Sequence, residues 1–192
     1  MQDILERAAR VKLLIFDVDG VLTDGGLIMD KDGHEYKKFH SRDGHGMKML
    51  QSSGVDIAII TGRNSSVVSH RMAGLGVKHV YQGQEDKRVA YRELLGQLFL
   101  QPGETAYVGD DVVDLPVMRL VGLAVAVQDA HPLVKQHAHW QTPSAGGHGA
   151  ARDVCELVME ARGVLQKAAA DDDPYVATLA RSGMRSLRKA GL

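Results

Sequence analysis

"LLIFDVDGVLTDGG" (13–26) runs an apolar stretch straight into two carboxylates, Asp17 and Asp19, with glycines close behind. Burying an unpaired carboxylate is costly, so this is either a solvated turn or a place where something positive is held. The run before it reads as a buried strand, "VKLLIF" (11–16), and three more share its form: "DIAII" (56–60), "TAYVG" (105–109) and "LAVAV" (123–127). Helix-like stretches fall between them, at about 45–53, 64–74, 86–99 and 112–121. Near-continuous aliphatic strands alternating with helices predict a parallel sheet covered on both faces. Right-handed crossovers make that a doubly wound, Rossmann-like α/β sandwich. Such sheets bind ligands beyond the carboxyl ends of their strands, where this sequence puts Asp17, Asp19, Thr61, Asp110 and Asp111.

One segment breaks the alternation. "GLIMDKDGHEYKKFH" (26–40) reads as two strands joined at Asp32-Gly33, a hairpin projecting just after the first acidic turn. A helix is expected over 150–166. Residues 1–167 then form one domain, and 168–192 a tail, with the acid run and Pro174 as a linker before a weakly amphipathic basic helix or disordered end. A formal net charge of -1 offers no basic field for nucleic acid. The lone Cys155 excludes an intrachain disulfide, and no eighteen apolar residues run together. These features predict a cytoplasmic protein with neither nucleic-acid nor membrane partner.

The acids carry the chemistry. A D-x-D pair at a strand end can hold a hard divalent cation such as Mg²⁺, and plain turns contain such pairs too. Asp17 can also act as a nucleophile, since carboxylates form aspartyl-phosphates, and an acid two residues on can protonate the leaving oxygen and later activate water. "AIITGRN" (58–64) sets Thr61 and Gly62 at a second strand end, either to receive phosphate oxygens or simply to cap the next helix. "QGQEDK" (82–87) places Lys87 near a helix start, as a phosphate clamp or a solvated surface lysine. "YVGDDVVDLPVM" (107–118) brings Asp110, Asp111 and Asp114 together, which repel unless a cation or lysine sits among them. For Asp111 alone, an acidic helix start suffices. Nine scattered histidines offer no zinc set, and the acids favour Mg²⁺. Taken in order (Asp pair, Thr, Lys, Asp pair, each at or past a strand end) the residues make a phosphoryl-transfer kit.

In that order they resemble the four motifs of the haloacid dehalogenase (HAD) superfamily. The resemblance implies that Asp17 attacks phosphorus, that Asp19 is the general acid/base and lends Mg²⁺ its backbone carbonyl, and that Thr61 and Lys87 bind phosphate. It implies Asp17, Asp19 and Asp110 at the metal, with Asp111 and Asp114 holding the metal's waters or Lys87 from behind. Only 43 residues lie between Asp17 and Thr61, and 25 between Thr61 and Lys87. Neither interval has room for a cap domain, which leaves the 26–40 hairpin to close the site.

Over about residues 10–165 the chain resembles, more narrowly, the capless family of 3-deoxy-D-manno-octulosonate (KDO) 8-phosphate phosphatases. The resemblance rests on "DVDGVLTDG", "RDGHGMKML", "AIITGR", "YQGQEDK", "GDDVVDLPVM", "AVQDAHP" and "GGHGAARDVCELV". It implies release of KDO for lipopolysaccharide synthesis by a homotetramer joined through hairpins, one subunit completing its neighbour's site. Substrate contacts implied are Asp19, His40, Ser41, Arg42, Asp43, Gly44, Lys48 and Lys87, with Arg63 and Arg71 for the sugar carboxylate. A guanidinium fork suits a carboxylate, and the eight-residue spacing of the two arginines fits one face of the helix after Thr61. Asn64 stands where some relatives carry a second arginine, and "GGHGA" (146–150) resembles a segment that folds over the site. Other readings are the same chemistry on a nine-carbon sugar acid (sialic acid or KDN 9-phosphate), a non-catalytic HAD-like binding module, and a D-x-D glycosyltransferase. The last gives no role to Lys87 or Asp110.

Overall fold

Strand β1 (Leu13–Phe16) is buried at every position because it runs through the middle of a six-stranded sheet. It lies between β4 (Asp56–Ile60) and β6 (Thr105–Gly109). Outward from these come β5 (His79–Tyr81) beyond β4, and β7 (Leu123–Ala126) then β8 (Trp140–Gln141) beyond β6, all parallel. The order β5-β4-β1-β6-β7-β8 reverses direction at β1, and that reversal opens a crevice at the carboxyl ends. The continuous apolar text of β1 and β7 follows from cover on both faces.

Helices α1 (Gln2–Ala9), α2 (Ser41–Ser52) and α7 (Ala150–Ala161) pack together as one layer, and α3 (Ser66–Leu75) packs on α2. The other layer is the series α4 (Lys87–Leu98), α5 (Leu115–Met118) and α6 (Pro132–His137). A further helix, α8 (Leu165–Asp171), lies against α2 and α7. This computed structural model describes residues 1–171, so the tail reading lies, from residue 172 on, outside the described residues. Among the described residues no helix is long and apolar enough to cross a membrane.

The doubly wound parallel sheet expected from the sequence is present, and between β1 and β4 stand only the hairpin and α2, with no cap domain. The hairpin pairs β2 (Ile28–Met29) with β3 (Glu35–Tyr36), antiparallel. Its turn uses Gly33 at φ 84°, and the Asp30 carboxylate accepts from the Asp32 and His34 amides. Two expected helices are shorter than read. The 112–121 stretch is a 3₁₀ turn, Val112–Asp114, followed by α5, because Pro116 has no N–H and can only open a helix. The 150–166 stretch breaks after Ala161 through Gly163 at φ 70° before α8 resumes.

Candidate active site

Register assembles the site. Phe16 stands level with Ile59 and Val108, so the chain leaves the sheet at Asp17, Thr61 and Asp110 around one crevice. The Asp17 amide donates to Val108 O at 3.1 Å, and Thr61 N to Tyr81 O at 2.9 Å. Two glycines make room for carboxylates: a Cβ on Gly20 would fall 2.1 Å from Asp110 Oδ2, and one on Gly109 would fall 2.6 Å from Asp114 Oδ2. Gly20 also needs φ +87°, a conformation other residues resist.

Lys87 opens α4 behind Asp86, whose side chain accepts from Arg88 N and caps the helix. The lysine turns inward, with its side chain only 4% exposed. Its Nζ donates to Asp114 Oδ1 at 2.7 Å and to the Tyr107 hydroxyl at 3.2 Å, and lies 3.0 Å from Asp17 Oδ1. Tyr107 in turn donates to Asp114 at 2.7 Å, and the other Asp114 oxygen accepts from the Asp110 and Asp111 amides. Asp114 is therefore fully occupied in holding Lys87 and the turn.

Burial, then the Asp114 charge, push the Asp17 carboxyl up to about 6 against the pull of Lys87. Burial, then Asp114 and Asp17, push Asp110 further, to about 8. Burial alone would lower Lys87, but Asp17 and Asp114 outweigh it and raise it. The cluster thus carries more negative charge than one lysine offsets. Asp110 Oδ1 is buried without a hydrogen-bond partner, and buried Asp17 Oδ1 has the Lys87 ammonium beside it at 3.0 Å. Carboxylate oxygens of Asp17, Asp110 and Asp114 converge within 4.8 Å of one another. An all-oxygen set with spare acceptors and net negative charge fits a hard cation such as Mg²⁺.

The cleft over these groups has a volume of ≈ 390 Å³ and is lined by Asp17, Asp19, Thr61, Arg63, Lys87, Asp110 and Asp111, among others. Asp111 also caps the 3₁₀ turn through Val112 N at 2.7 Å. A separate small hollow gathers His40, Asp43, Gly44 and Arg71. Arg71 lies over the Phe39 ring, 5.8 Å from its centre, and against Gly44, where a Cβ would meet its guanidinium at 2.3 Å. Asp43 is buried and accepts from Arg152 N at the start of α7. Ser41, Arg42 and Lys48 lie exposed on α2, outside the cleft. The shared helix face expected for Arg63 and Arg71 is not present: α3 begins at Ser66, so Arg63 stands in the turn before it and reaches Glu35 at 2.9 Å, while Arg71 is on the helix. "GGHGA" is pinned to the loop after β1, Gly147 N donating to Val21 O at 2.9 Å, and to the turn after β7, Gly146 N donating to Asp129 Oδ1 at 2.9 Å.

Residues 76–153 match the haloacid dehalogenase-like hydrolase family. Over 166 residues the chain is 51% identical to the 3-deoxy-D-manno-octulosonate 8-phosphate phosphatase KdsC of Yersinia pestis, spanning 86% of this chain and 89% of that protein. The chain belongs to the KDO 8-phosphate phosphatase family. A crystal structure of the Y. pestis phosphatase superposes with a TM-score of 0.85 at 51% identity, covering 85% of this chain and 89% of that one. The phosphatase from Moraxella catarrhalis, crystallised with magnesium ion, phosphate ion and KDO, superposes with a TM-score of 0.88 at 38% identity, covering 90% and 99%. In this KDO 8-phosphate phosphatase fold, the site neighbours that sequence reasoning did not single out are Tyr107, Glu35 and Lys37. Tyr107 reads in sequence as one more strand residue. Glu35 and Lys37 carried a signal, since residues two apart in a strand share a face.

Proposed function

We propose that the protein hydrolyses KDO 8-phosphate to KDO and phosphate through an aspartyl-phosphate at Asp17. The observation that carries this is a buried Asp17 beside the Lys87 ammonium and the Asp110 carboxylate, in a cleft that Asp19 also lines. An Asp17 oxygen attacks phosphorus, the bond from phosphorus to the sugar oxygen breaks, and Asp19 gives that oxygen its proton. Water then attacks the phosphoryl group, Asp19 takes its proton, and phosphate leaves with the Asp17 carboxylate restored. Thr61 and Lys87 line the cleft, where they would hold the phosphoryl oxygens and offset their charge; Arg63, expected beside Arg71 for the sugar carboxylate, lines this same cleft, whereas Arg71 lies in the separate hollow. Asp17, Asp110 and the Asp19 carbonyl would hold Mg²⁺, which supplies positive charge at the phosphoryl group. Arg71, with His40, Asp43 and Gly44 at the start of α2, would serve the sugar acid end.

The homotetramer belongs to the same proposal. Leu27, Ile28, Met29 and Tyr36 leave the hairpin more than half exposed and apolar, a surface suited to a subunit contact. Light scattering on the Ile28→Asp/Met29→Asp variant tests it, with a tetramer converted to smaller species as the expected result. Mixing Asp17→Asn with Arg71→Ala subunits then restores part of the activity if neighbours share sites. The buried, lone Cys155 suits the reducing cytoplasm, where lipopolysaccharide synthesis would draw on the product.

The deciding experiment is phosphate release from a panel of sugar phosphates, with Mg²⁺ and with chelator. Preference for KDO 8-phosphate, lost on chelation, is the expected result. Preference for a nine-carbon acid would keep the mechanism and change the substrate, and release from no member would overturn the reading.

A further inference from the structure

Four side chains from three elements close a ring of alternating charge beside the cleft. Lys37, one residue past β3, contacts Asp19 Oδ1 and lies 3.2 Å from Glu35 Oε1. Arg63, in the turn after β4, bridges the same two acids, at 2.9 Å from Glu35 Oε1 and 3.7 Å from Asp19 Oδ2. The two cations are not equivalent. The Lys37 side chain is 2% exposed and that of Arg63 48%. A desolvated ammonium is tolerated only while it stays paired, whereas a half-exposed ion pair is weak and is readily given up to a competing anion. Among the described residues, these two cations are the partners of the Asp19 carboxylate.

We propose that Lys37 is a positioning residue for the phosphatase reaction, holding the Asp19 carboxyl in place from the hairpin while Arg63 turns to the substrate. The inference rests on the reading of Asp19 as acid/base. A carboxyl with no fixed partner samples several rotamers, and a misplacement of about 1 Å costs about 100-fold in rate. Lys37 also makes the hairpin part of the machinery, because the same ammonium ties Asp19 to Glu35.

The test compares the full-length wild type with Lys37→Gln and Lys37→Arg, all with Mg²⁺, on two substrates. KDO 8-phosphate has a poor leaving group that needs the proton from Asp19, whereas 4-nitrophenyl phosphate expels a stable anion that needs it little. Lys37→Gln is expected to lower kcat on KDO 8-phosphate by about 10- to 100-fold with KM within about threefold. Its pre-steady-state burst of nitrophenolate should stay within about threefold of wild type, and Lys37→Arg should recover most of the kcat. Unchanged kcat in Lys37→Gln, or equal loss of the burst and of sugar-phosphate turnover, would overturn the inference while leaving the function standing. Wild type inactive on every phosphate would overturn both. If Lys37→Gln does not fold, Glu35→Gln loosens the same ammonium and is held to the same split.

Discussion

Lys87 donates to Asp114 at 2.7 Å where neither side chain meets water, the two being 4% and 0% exposed. Such a pair is weak evidence for stability as a pair, because desolvation offsets its attraction, yet breaking it strands a buried charge. Lys87→Met should therefore lose about 3–5 kcal/mol in urea unfolding at pH 8, together with phosphatase turnover. The loss should shrink at pH 5, where the Asp17 carboxyl, raised by burial to about 6, takes up a proton.

Asp17→Asn separates chemistry from folding. The amide cannot attack phosphorus, so turnover should fall about 10⁴-fold or more. It also removes one of the buried charges that repel each other, so the melting temperature without metal should not fall. Steady-state assay and a thermal melt on the same preparation check both.

The acid cluster ties stability to pH. A carboxyl raised on folding keeps its proton when the unfolded chain has released it, so stability falls as pH rises from the unfolded value toward the folded one. For Asp17 and Asp110, at about 6 and about 8, that window runs from about pH 4 to about pH 8. Mg²⁺ held as proposed would need the same groups ionised and would neutralise their repulsion. The melting-temperature gain from Mg²⁺ should be small at pH 5 and grow through pH 8. A gain independent of pH would remove these carboxyls from the metal site.

Phe99 ends α4 at φ 53° with 92% of its surface exposed. A bulky side chain in the left-handed region costs about 1–2 kcal/mol, and this one packs too little to offset it. Phe99→Gly should raise stability by about 1 kcal/mol, read as a later urea midpoint with unchanged slope.

Much of this site was legible because its residues follow aliphatic strands, and a parallel sheet brings strand ends together. Asp17, Thr61 and Asp110 needed only the positions of β1, β4 and β6. Lys87 read in isolation as a surface residue, since nothing local reveals that Asp114 and Tyr107 wait behind it. The edges β5 and β8 were missed because they are only three and two residues long and incompletely buried, so their composition is not that of a core strand. Arg63, expected on the helix after Thr61, lies three residues before α3 begins, and that boundary sets it against the hairpin and off the α3 face. Lys37 belonged to a hairpin read for its turn, and contact between that hairpin and Asp19 is a long-range fact that no local pattern encodes.

The central place of β1 also has a kinetic consequence. Leu13 pairs with Asp56 on one side and Thr105 on the other, so the acid crevice exists only after two pairings between distant parts of the chain. Non-local pairings are slow and come late in folding. A cation held, as proposed, by Asp17 and Asp110 would therefore bind a surface that forms late in folding. Its stabilisation should appear as slower unfolding with little change in the folding rate. Metal would act on this protein less as a nucleus for folding than as a lock on the finished sheet.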